Sequence, residues 1–294
     1  MFPPFFTSKS YWQQLLYLLL FVVAGVTVFS SITALLGITC FPSAGNSRGY
    51  LYIVLAVNAF GTFFVPALLF SYCASRKWFS YNAADKIAPP QLVGIVLLLS
   101  LFFLPVISYL GYVNEHITLP AFLQKLELWM QEMEEASKGV LQTLTGNSNI
   151  PILLLNIVIM ALLPALFEEF LFRGTLQPFF TKWFKNKHIA IIVTAFIFSA
   201  IHFQFYGFLP RFLLGIYLGY LLIWGKSLWL PIIAHFMHNA VSLILDYGAQ
   251  RRDIDLDNIE PNQIPEFYPV VIFCVLCVGV GGYLLWKTSK LLSE

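Results

Sequence analysis

The chain has 294 residues, of which 59% are hydrophobic and only 11% are charged, and its formal net charge is +2. Soluble proteins carry about a quarter of their residues as charged side chains, so this composition excludes an ordinary water-soluble domain. The sequence holds no basic nucleic-acid-binding patch, and no nucleic-acid partner is expected. The composition predicts a polytopic membrane protein, with the lipid bilayer as its main partner.

Apolar windows of suitable length predict eight membrane-spanning helices. In chain order they are Tyr11–Ile38, Tyr50–Ala74, Pro90–Val113, Ile150–Phe172, His188–Tyr206, Phe208–Trp224, Leu228–Leu245 and Tyr268–Trp286. Strand-like alternation is absent, and lipid does not tolerate unpaired backbone groups. The predicted fold class is therefore all-α, a polytopic membrane helix bundle with about eight transmembrane helices.

The loops between these spans predict how the chain is oriented in the membrane. Lys and Arg are more frequent in the loops on the side of the N-terminus than in those on the opposite side. Because such an excess is typical of cytoplasmic loops, we expect a multi-pass protein of the cytoplasmic membrane with both termini in the cytoplasm. The first apolar segment lacks a small-residue cleavage site, so we expect it to be retained as a span.

Two long connections fall on the predicted outer side. The first, residues 114–149, is amphipathic, and its apolar residues recur at helical spacing at Phe122, Leu126, Trp129, Met130, Met133, Val140, Leu141 and Leu144. This pattern predicts a helix that lies on the membrane surface or packs over the mouth of the bundle. A solvated lid without a substrate role is an equal alternative. The second connection, after the seventh span, is acidic and is expected to be a solvated loop.

The fourth predicted span carries Glu168, Glu169 and Arg173. Ionisable side chains at membrane depth cost at least a few kcal/mol each and commonly mark functional sites. Glu169 and Arg173 are four residues apart and share a helix face, on which they can pair. Glu168 points about 100° away and has no partner on its own helix, which makes it a candidate general base or acid. The structural alternative is a buried charge cluster that only locks helices together.

Two further spans carry hydrogen-bonding side chains. His202 follows an apolar run, while His235 and Asn239 are four residues apart on one face of the seventh span and His238 is offset from them. Each of these residues alone is more typical of a hydrogen-bonded position in a protein core. Burying a polar side chain costs free energy on each of the three spans, however, and this favours one shared site. The predicted bounds place His202 deeper than Glu168, which requires a deep cavity or a fifth helix that projects into the cytoplasm.

Taken in order, these residues resemble the motifs of the CAAX protease and bacteriocin-processing family, whose eukaryotic members are the type II CAAX prenyl endopeptidases. The motifs are E-E-F-L-F-R from Glu168 to Arg173, F-S-A-I-H from Phe198 to His202, and H-F-M-H-N from His235 to Asn239. The resemblance divides the chain into an N-terminal membrane region (residues 1–149), a CAAX-protease-like catalytic core of four spans (150–246), and an acidic outer loop with the last span (247–294).

The resemblance implies a glutamate-type intramembrane endopeptidase that acts on a membrane-associated peptide or protein. Glu168 and His202 would polarise the attacking water, and His235 and Asn239 would donate hydrogen bonds to the developing oxyanion. Glu169 and Arg173 would shape the site or bind the carboxyl end of the substrate. No cofactor is expected.

Other interpretations stay open. Glu168, His202 and His235 could hold a zinc ion with an open fourth position, although Asn239 is a poor zinc ligand whose spacing suits a paired donor. A non-catalytic binding or immunity protein could use the same cavity, but it has no need for both water-activating and oxyanion groups. Intramembrane Glu and His chains also relay protons in transporters, but the chain shows neither internal repeats nor helices broken mid-span.

Overall fold

A computed structural model describes residues 4–42, 47–75, 77–146, 149–254, 264 and 266–292, and their regular secondary structure is entirely helical. The helices are α1 (Tyr11–Cys40), α2 (Arg48–Ala74), α3 (Trp78–Tyr81), α4 (Pro90–Glu115), α5 (Gln124–Thr145), α6 (Ile150–Phe184), α7 (Lys187–Ala200), α8 (Phe208–Gly225), α9 (Trp229–Gln250) and α10 (Phe267–Leu291). The predicted all-helical bundle is confirmed.

All eight predicted spans contain a helix, although the fifth helix ends at Ala200 and not at the predicted Tyr206. Six helices of the described chain are long and apolar enough to cross a membrane. The two others are α7, which has only 14 residues, and α9, which has 22 residues but carries the polar side chains of the third motif. The protein is a multi-pass membrane protein. The count of eight crossings stays a prediction.

The predicted end of the fourth span at Phe172 is wrong, because α6 continues to Phe184 and is 35 residues long. Its course includes a π-helical turn at Phe172–Leu176. Within that turn Thr175 Oγ1 donates to the carbonyl of Phe170 at 3.0 Å, so the irregular backbone finds a partner inside the helix. The Glu168–Arg173 motif therefore lies in the middle of a long helix and not at a span end.

This longer helix explains the depth of His202. A two-residue link joins the end of α6 to the start of α7, where the side chain of Asn186 accepts hydrogen bonds from His188 N and Ile189 N and caps the helix. Glu168 lies 16 residues before the end of α6, and His202 lies 15 residues after the start of α7, so both are about 22–24 Å from the same end of the bundle. The lengths of the two helices thus place Glu168 and His202 at a similar depth in the bundle.

Close helix packing positions α8 against α6 and α7. A Cβ atom at Gly215 would come within 2.9 Å of Ala195 Cβ on α7, and one at Gly219 would come within 2.9 Å of Ile191. Both glycines are buried, and they are spaced one helical turn apart. Small residues at this spacing let two helix backbones approach closely, which brings α8 carbonyl groups within reach of α6 side chains.

The amphipathic segment of the first outer connection forms α5, as predicted. Arg48 on α2 donates to the carbonyls of Thr143, at 3.0 Å, and Gly146, and Asn156 on α6 donates to the carbonyl of Leu144 at 3.0 Å. The helix thus packs across the ends of α2 and α6, over the mouth of the bundle. Most of the predicted acidic loop, residues 255–263 and 265, lies outside the described residues.

Candidate active site

The buried carboxylate of Glu169 joins two helices. Its Oε1 atom accepts a hydrogen bond from Arg173 Nη1 at 2.8 Å and another from His235 Nδ1 at 2.9 Å. Glu169 and Arg173 are both 0% exposed and His235 is 4% exposed. The predicted Glu169–Arg173 pair is confirmed, whereas the link to His235 on α9 was not predicted. The carboxylate is therefore shared between a guanidinium on its own helix and an imidazole 66 residues away in the sequence.

This contact determines the orientation of His235. A carboxylate only accepts hydrogen bonds, so the proton of the bond lies on Nδ1, and Nε2 is directed away from Glu169. In the neutral ring Nε2 is an acceptor, and it becomes a donor only in the imidazolium. His235 can thus donate from Nε2 to an oxyanion only in its imidazolium form.

The guanidinium of Arg173 is fully enclosed by protein. Besides Glu169, its Nη2 donates to the carbonyl of Gly215 on α8 at 3.1 Å, and its central carbon lies 4.6 Å from the centroid of the Phe198 ring. One turn further on α6, Gln177 donates to the carbonyl of Gly219 in the same way at 2.9 Å. The structure thus shows that Nη1 and Nη2 of Arg173 are bonded within the protein, while its role in shaping the site or binding the substrate stays a prediction.

The Phe198 ring lies at the centre of the site. Its centroid lies 5.3 Å from the imidazole of His202 and 5.7 Å from that of His235. With Arg173 on the same ring, Phe198 brings residues of α6, α7 and α9 together. Sequence reasoning treated it only as the first letter of the second motif. The spacing of four residues between this large aromatic residue and His202 could have revealed it, because residues at this spacing lie on the same helix face.

His202 lies in the turn that follows α7. Its Nδ1 is 2.8 Å from the carbonyl oxygen of Phe198, which can only accept, so Nδ1 carries the proton and the neutral ring keeps a lone pair on Nε2. Within the described chain, no hydrogen bond joins His202 to Glu168, although this was the expected neighbour. Both residues lie at the same level of the bundle, but their pairing stays a prediction.

The Glu168 side chain is 7% exposed and makes no hydrogen bond to the part of the chain that the structure describes. The charged groups that act on its carboxylate are His235, Glu169, Arg173 and Arg211. Unlike Glu169, it therefore has no direct bond to a described residue. A buried carboxylate with free acceptor positions is suited to bind a water molecule and to accept its proton.

Asn239 lies one turn after His235 on α9 and is half-buried. Its amide makes no hydrogen bond to the described residues and is free to act as a donor. His238, which is offset from this face, has a buried Nδ1 atom without a partner in the described part of the chain. Buried polar atoms are normally paired with protein or with water, so this region is polar enough to hold water.

The zinc alternative requires three ligand side chains that lie close together. Among the residues with described coordinates, no three His, Cys, Asp or Glu side chains are arranged to hold a metal ion. Glu168, His202 and His235, the ligands of the zinc alternative, do not form such a set in this arrangement.

Arg211 on α8 is a member of the site that sequence reasoning missed. The charges that act on it are those of Glu134 and Glu168, and it acts in turn on His202. No motif includes this residue. The signal that could have drawn attention to it is an arginine at the start of an apolar span, nine residues after His202.

Comparisons with known proteins agree with the resemblance of the motifs. Residues 150–241 match the family model described as type II CAAX prenyl endopeptidase Rce1-like, a stretch of less than half of the chain that contains all three motifs. The resemblance is thus confirmed over this stretch. The chain is also 28% identical over 130 residues to the uncharacterized protein YpbD of Bacillus subtilis. The aligned stretch covers 42% of this chain and 62% of that protein. No solved structure gives a significant match.

Proposed function

We propose that this protein is an intramembrane endopeptidase that hydrolyses a peptide bond in a membrane-associated peptide or protein. The observation that carries the proposal is the pair of adjacent glutamates with different surroundings: Glu169 is bonded to Arg173 and His235, while Glu168 is buried with its acceptor positions free. The match of residues 150–241 to Rce1-like type II CAAX prenyl endopeptidases supports a peptidase of this kind.

In the proposed reaction Glu168 is the general base. Its carboxylate takes a proton from a water molecule while the water oxygen attacks the carbonyl carbon of the scissile bond. His202 orients this water through its Nε2 lone pair. In the second step the Glu168 carboxyl gives the same proton to the amide nitrogen as the carbon–nitrogen bond breaks. The products are a carboxylic acid and an amine.

His235 and Asn239 stabilise the oxyanion of the tetrahedral intermediate. As an imidazolium, His235 keeps its Nδ1–H on the carboxylate of Glu169 and donates from Nε2–H to the oxyanion, and the amide of Asn239 donates beside it. Donors that are fixed before the reaction in a site shielded from water are each worth about 2.7–4 kcal/mol of barrier lowering. Arg173 holds Glu169 in place, and together these two residues shape the site.

The proposed setting is the cytoplasmic membrane, with both termini in the cytoplasm as the distribution of Lys and Arg predicts. The partners are then the lipid bilayer and a peptide or protein substrate that reaches the bundle from the membrane. The reaction as proposed uses no cofactor.

The test is a cleavage assay with purified protein in lipid nanodiscs, using lipidated and unlipidated quenched-fluorescence peptides and mass spectrometry of the products. We expect wild type to cleave a subset of the peptides and Glu168→Gln, His202→Ala, His235→Ala and Asn239→Ala to lose at least about 100-fold in rate. Variants that cleave as well as wild type would show that the catalytic assignment is wrong.

The same assay separates two of the other interpretations from the proposed function. Tight binding of a peptide without cleavage by wild type would support the binding or immunity protein. Loss of cleavage after chelation, together with about one zinc ion per chain by metal analysis, would support the zinc-dependent peptidase with Glu168, His202 and His235 as ligands. Activity that survives chelation supports the metal-independent reaction.

A further inference from the structure

Arg211 binds the turn that carries His202. Its Nη1 donates to Gln204 Oε1 at 2.8 Å and its Nη2 donates to the carbonyl of Gln204 at 3.0 Å. Gln204 is two residues after His202, in the short connection between α7 and α8. One guanidinium thus bonds both the side chain and the backbone of the same residue in this connection.

The guanidinium also lies directly against Gly207. A Cβ atom at Gly207 would overlap it, and the three nearest heavy atoms to that position all belong to Arg211. The backbone of Gly207 has φ −106° and ψ 11°, which other residues adopt without strain. Gly207 is therefore required for the position of the arginine and not for the shape of the backbone.

The turn itself is strained. Phe203, the residue that follows His202, has φ +53°, and non-glycine residues rarely adopt such a conformation unless their surroundings impose it. The turn is tied at its far side, where Ser199 Oγ donates to the carbonyl of Phe208 at 2.7 Å. The bonds from Arg211 to Gln204 are the corresponding tie across the middle of the turn. Strain of this kind commonly occurs where a structure positions a functional side chain.

Arg211 is partly buried. The carboxylates that act on its charge are Glu134 on α5 and Glu168, the candidate base. The fully buried arginine of the first motif, Arg173, is already bonded to Glu169. Of the two arginines that act on Glu168, Arg173 is bonded to Glu169, whereas the described hydrogen bonds of Arg211 go to Gln204.

We propose that Arg211 is a positioning residue for the hydrolysis: it closes the turn after α7 and thereby holds the imidazole of His202 in position. This inference rests on the proposed function, since it assigns to Arg211 a task in that reaction. Arg211 acts through His202 and does not touch the substrate.

The test compares kcat, KM and the unfolding temperature of Arg211→Gln, Arg211→Lys and Gly207→Ala with wild type, on a peptide that wild type cleaves. We expect Arg211→Gln to lower kcat about 10- to 100-fold, because a misplacement of about 1 Å can have an effect of this size, with KM nearly unchanged. Arg211→Lys keeps the charge and restores part of kcat. Gly207→Ala keeps the charge but displaces the guanidinium, and it lowers kcat as well.

A double-variant cycle makes the test specific. In an Arg211→Ala background the space beside Gly207 is free, so Gly207→Ala is expected to have no further effect on kcat, whereas independent sites would add their effects. The matched control is Arg48→Gln. Arg48 also donates to two backbone carbonyls, those of Thr143 and Gly146, but it lies at the packing of α5 on α2. Arg48→Gln should lower the unfolding temperature and leave kcat unchanged.

The results distinguish this inference from the proposed function. If Glu168→Gln abolishes cleavage while Arg211→Gln and Gly207→Ala retain wild-type kcat, the role of Arg211 is overturned and the peptidase stands. If Arg211→Gln does not fold, Gly207→Ala decides the question, since the backbone of Gly207 accepts alanine. If Glu168→Gln cleaves as well as wild type, the proposed reaction fails and the role of Arg211 in it fails with it.

Discussion

Replacement of Glu169 by glutamine tests the buried contact on which the site is built. The wild-type carboxylate accepts from Arg173 at 2.8 Å and from His235 at 2.9 Å, and both Glu169 and Arg173 are 0% exposed. Glu169→Gln leaves the guanidinium of Arg173 as a buried charge without its counter-ion. Removal of one partner from a buried ion pair destabilises proteins by about 3–5 kcal/mol. We expect a loss of this size, measured by reversible unfolding in mixed micelles.

The same substitution is expected to reduce cleavage through His235. A glutamine amide does not stabilise the imidazolium, and it can rotate to donate to Nδ1 and so impose the other tautomer. Replacement of the buried carboxylate in a serine-protease triad by its amide costs about 10⁴-fold in kcat, and we expect a loss on the order of 10²- to 10⁴-fold here. The assay is the peptide cleavage reaction under conditions in which each variant is folded.

Two further variants separate stability from chemistry. In Glu169→Gln/Arg173→Met no charge is left buried, so part of the lost stability should return, while kcat should stay low because His235 still lacks its carboxylate. Glu132→Gln, on the exposed side of α5, is the control and should change stability by less than about 0.5 kcal/mol. Wild-type stability and turnover for Glu169→Gln would refute the reasoning.

The remaining predictions concern helix packing and the oxyanion donors. Gly215→Ala places a methyl group 2.9 Å from Ala195 and should lower the free energy of unfolding by about 1–3 kcal/mol, whereas Gly94→Ala, which has no atom within 4 Å of the added carbon, should be neutral or slightly stabilising in the same measurement. Asn239→Ala should lower kcat about 10²- to 10³-fold with little change in KM, while His238→Ala, on the offset face of α9, should stay near wild type in the same assay; equal losses would contradict the assignment of donors.

Several features of the site could be predicted because they lie within one helix. The pairing of Glu169 with Arg173 follows from a spacing of four residues, and the separation of Glu168 from this pair follows from a spacing of one. The amphipathic helix α5 was predicted for the same reason. The three motifs, read in order, were sufficient to indicate a family, and the model of that family matches residues 150–241.

The end of α6 could not be predicted from the sequence, because residues typical of helix ends occur well before the position at which the helix ends. Gly174 and Pro178 are typical of helix ends, yet the helix runs through both to Phe184. Pro178 lies just after a π-helical turn, at the second position of the regular helix that follows. The side chain of Asn82 packs against Gly174, 3.1 Å from where its Cβ would be.

The sequence alone determined that the chain is a helical membrane protein and which residues share a helix face. It also determined which polar residues lie in membrane spans, where their burial costs enough free energy to indicate a functional site. Only the tertiary structure decided that His235 bonds to Glu169, that Phe198 contacts both imidazoles, and that Arg211 bonds to Gln204 in the turn after His202. The physical reason is that helical periodicity relates residues a few positions apart. The rotation and depth of one helix against another depend on packing, as at Gly215, between residues far apart in the chain.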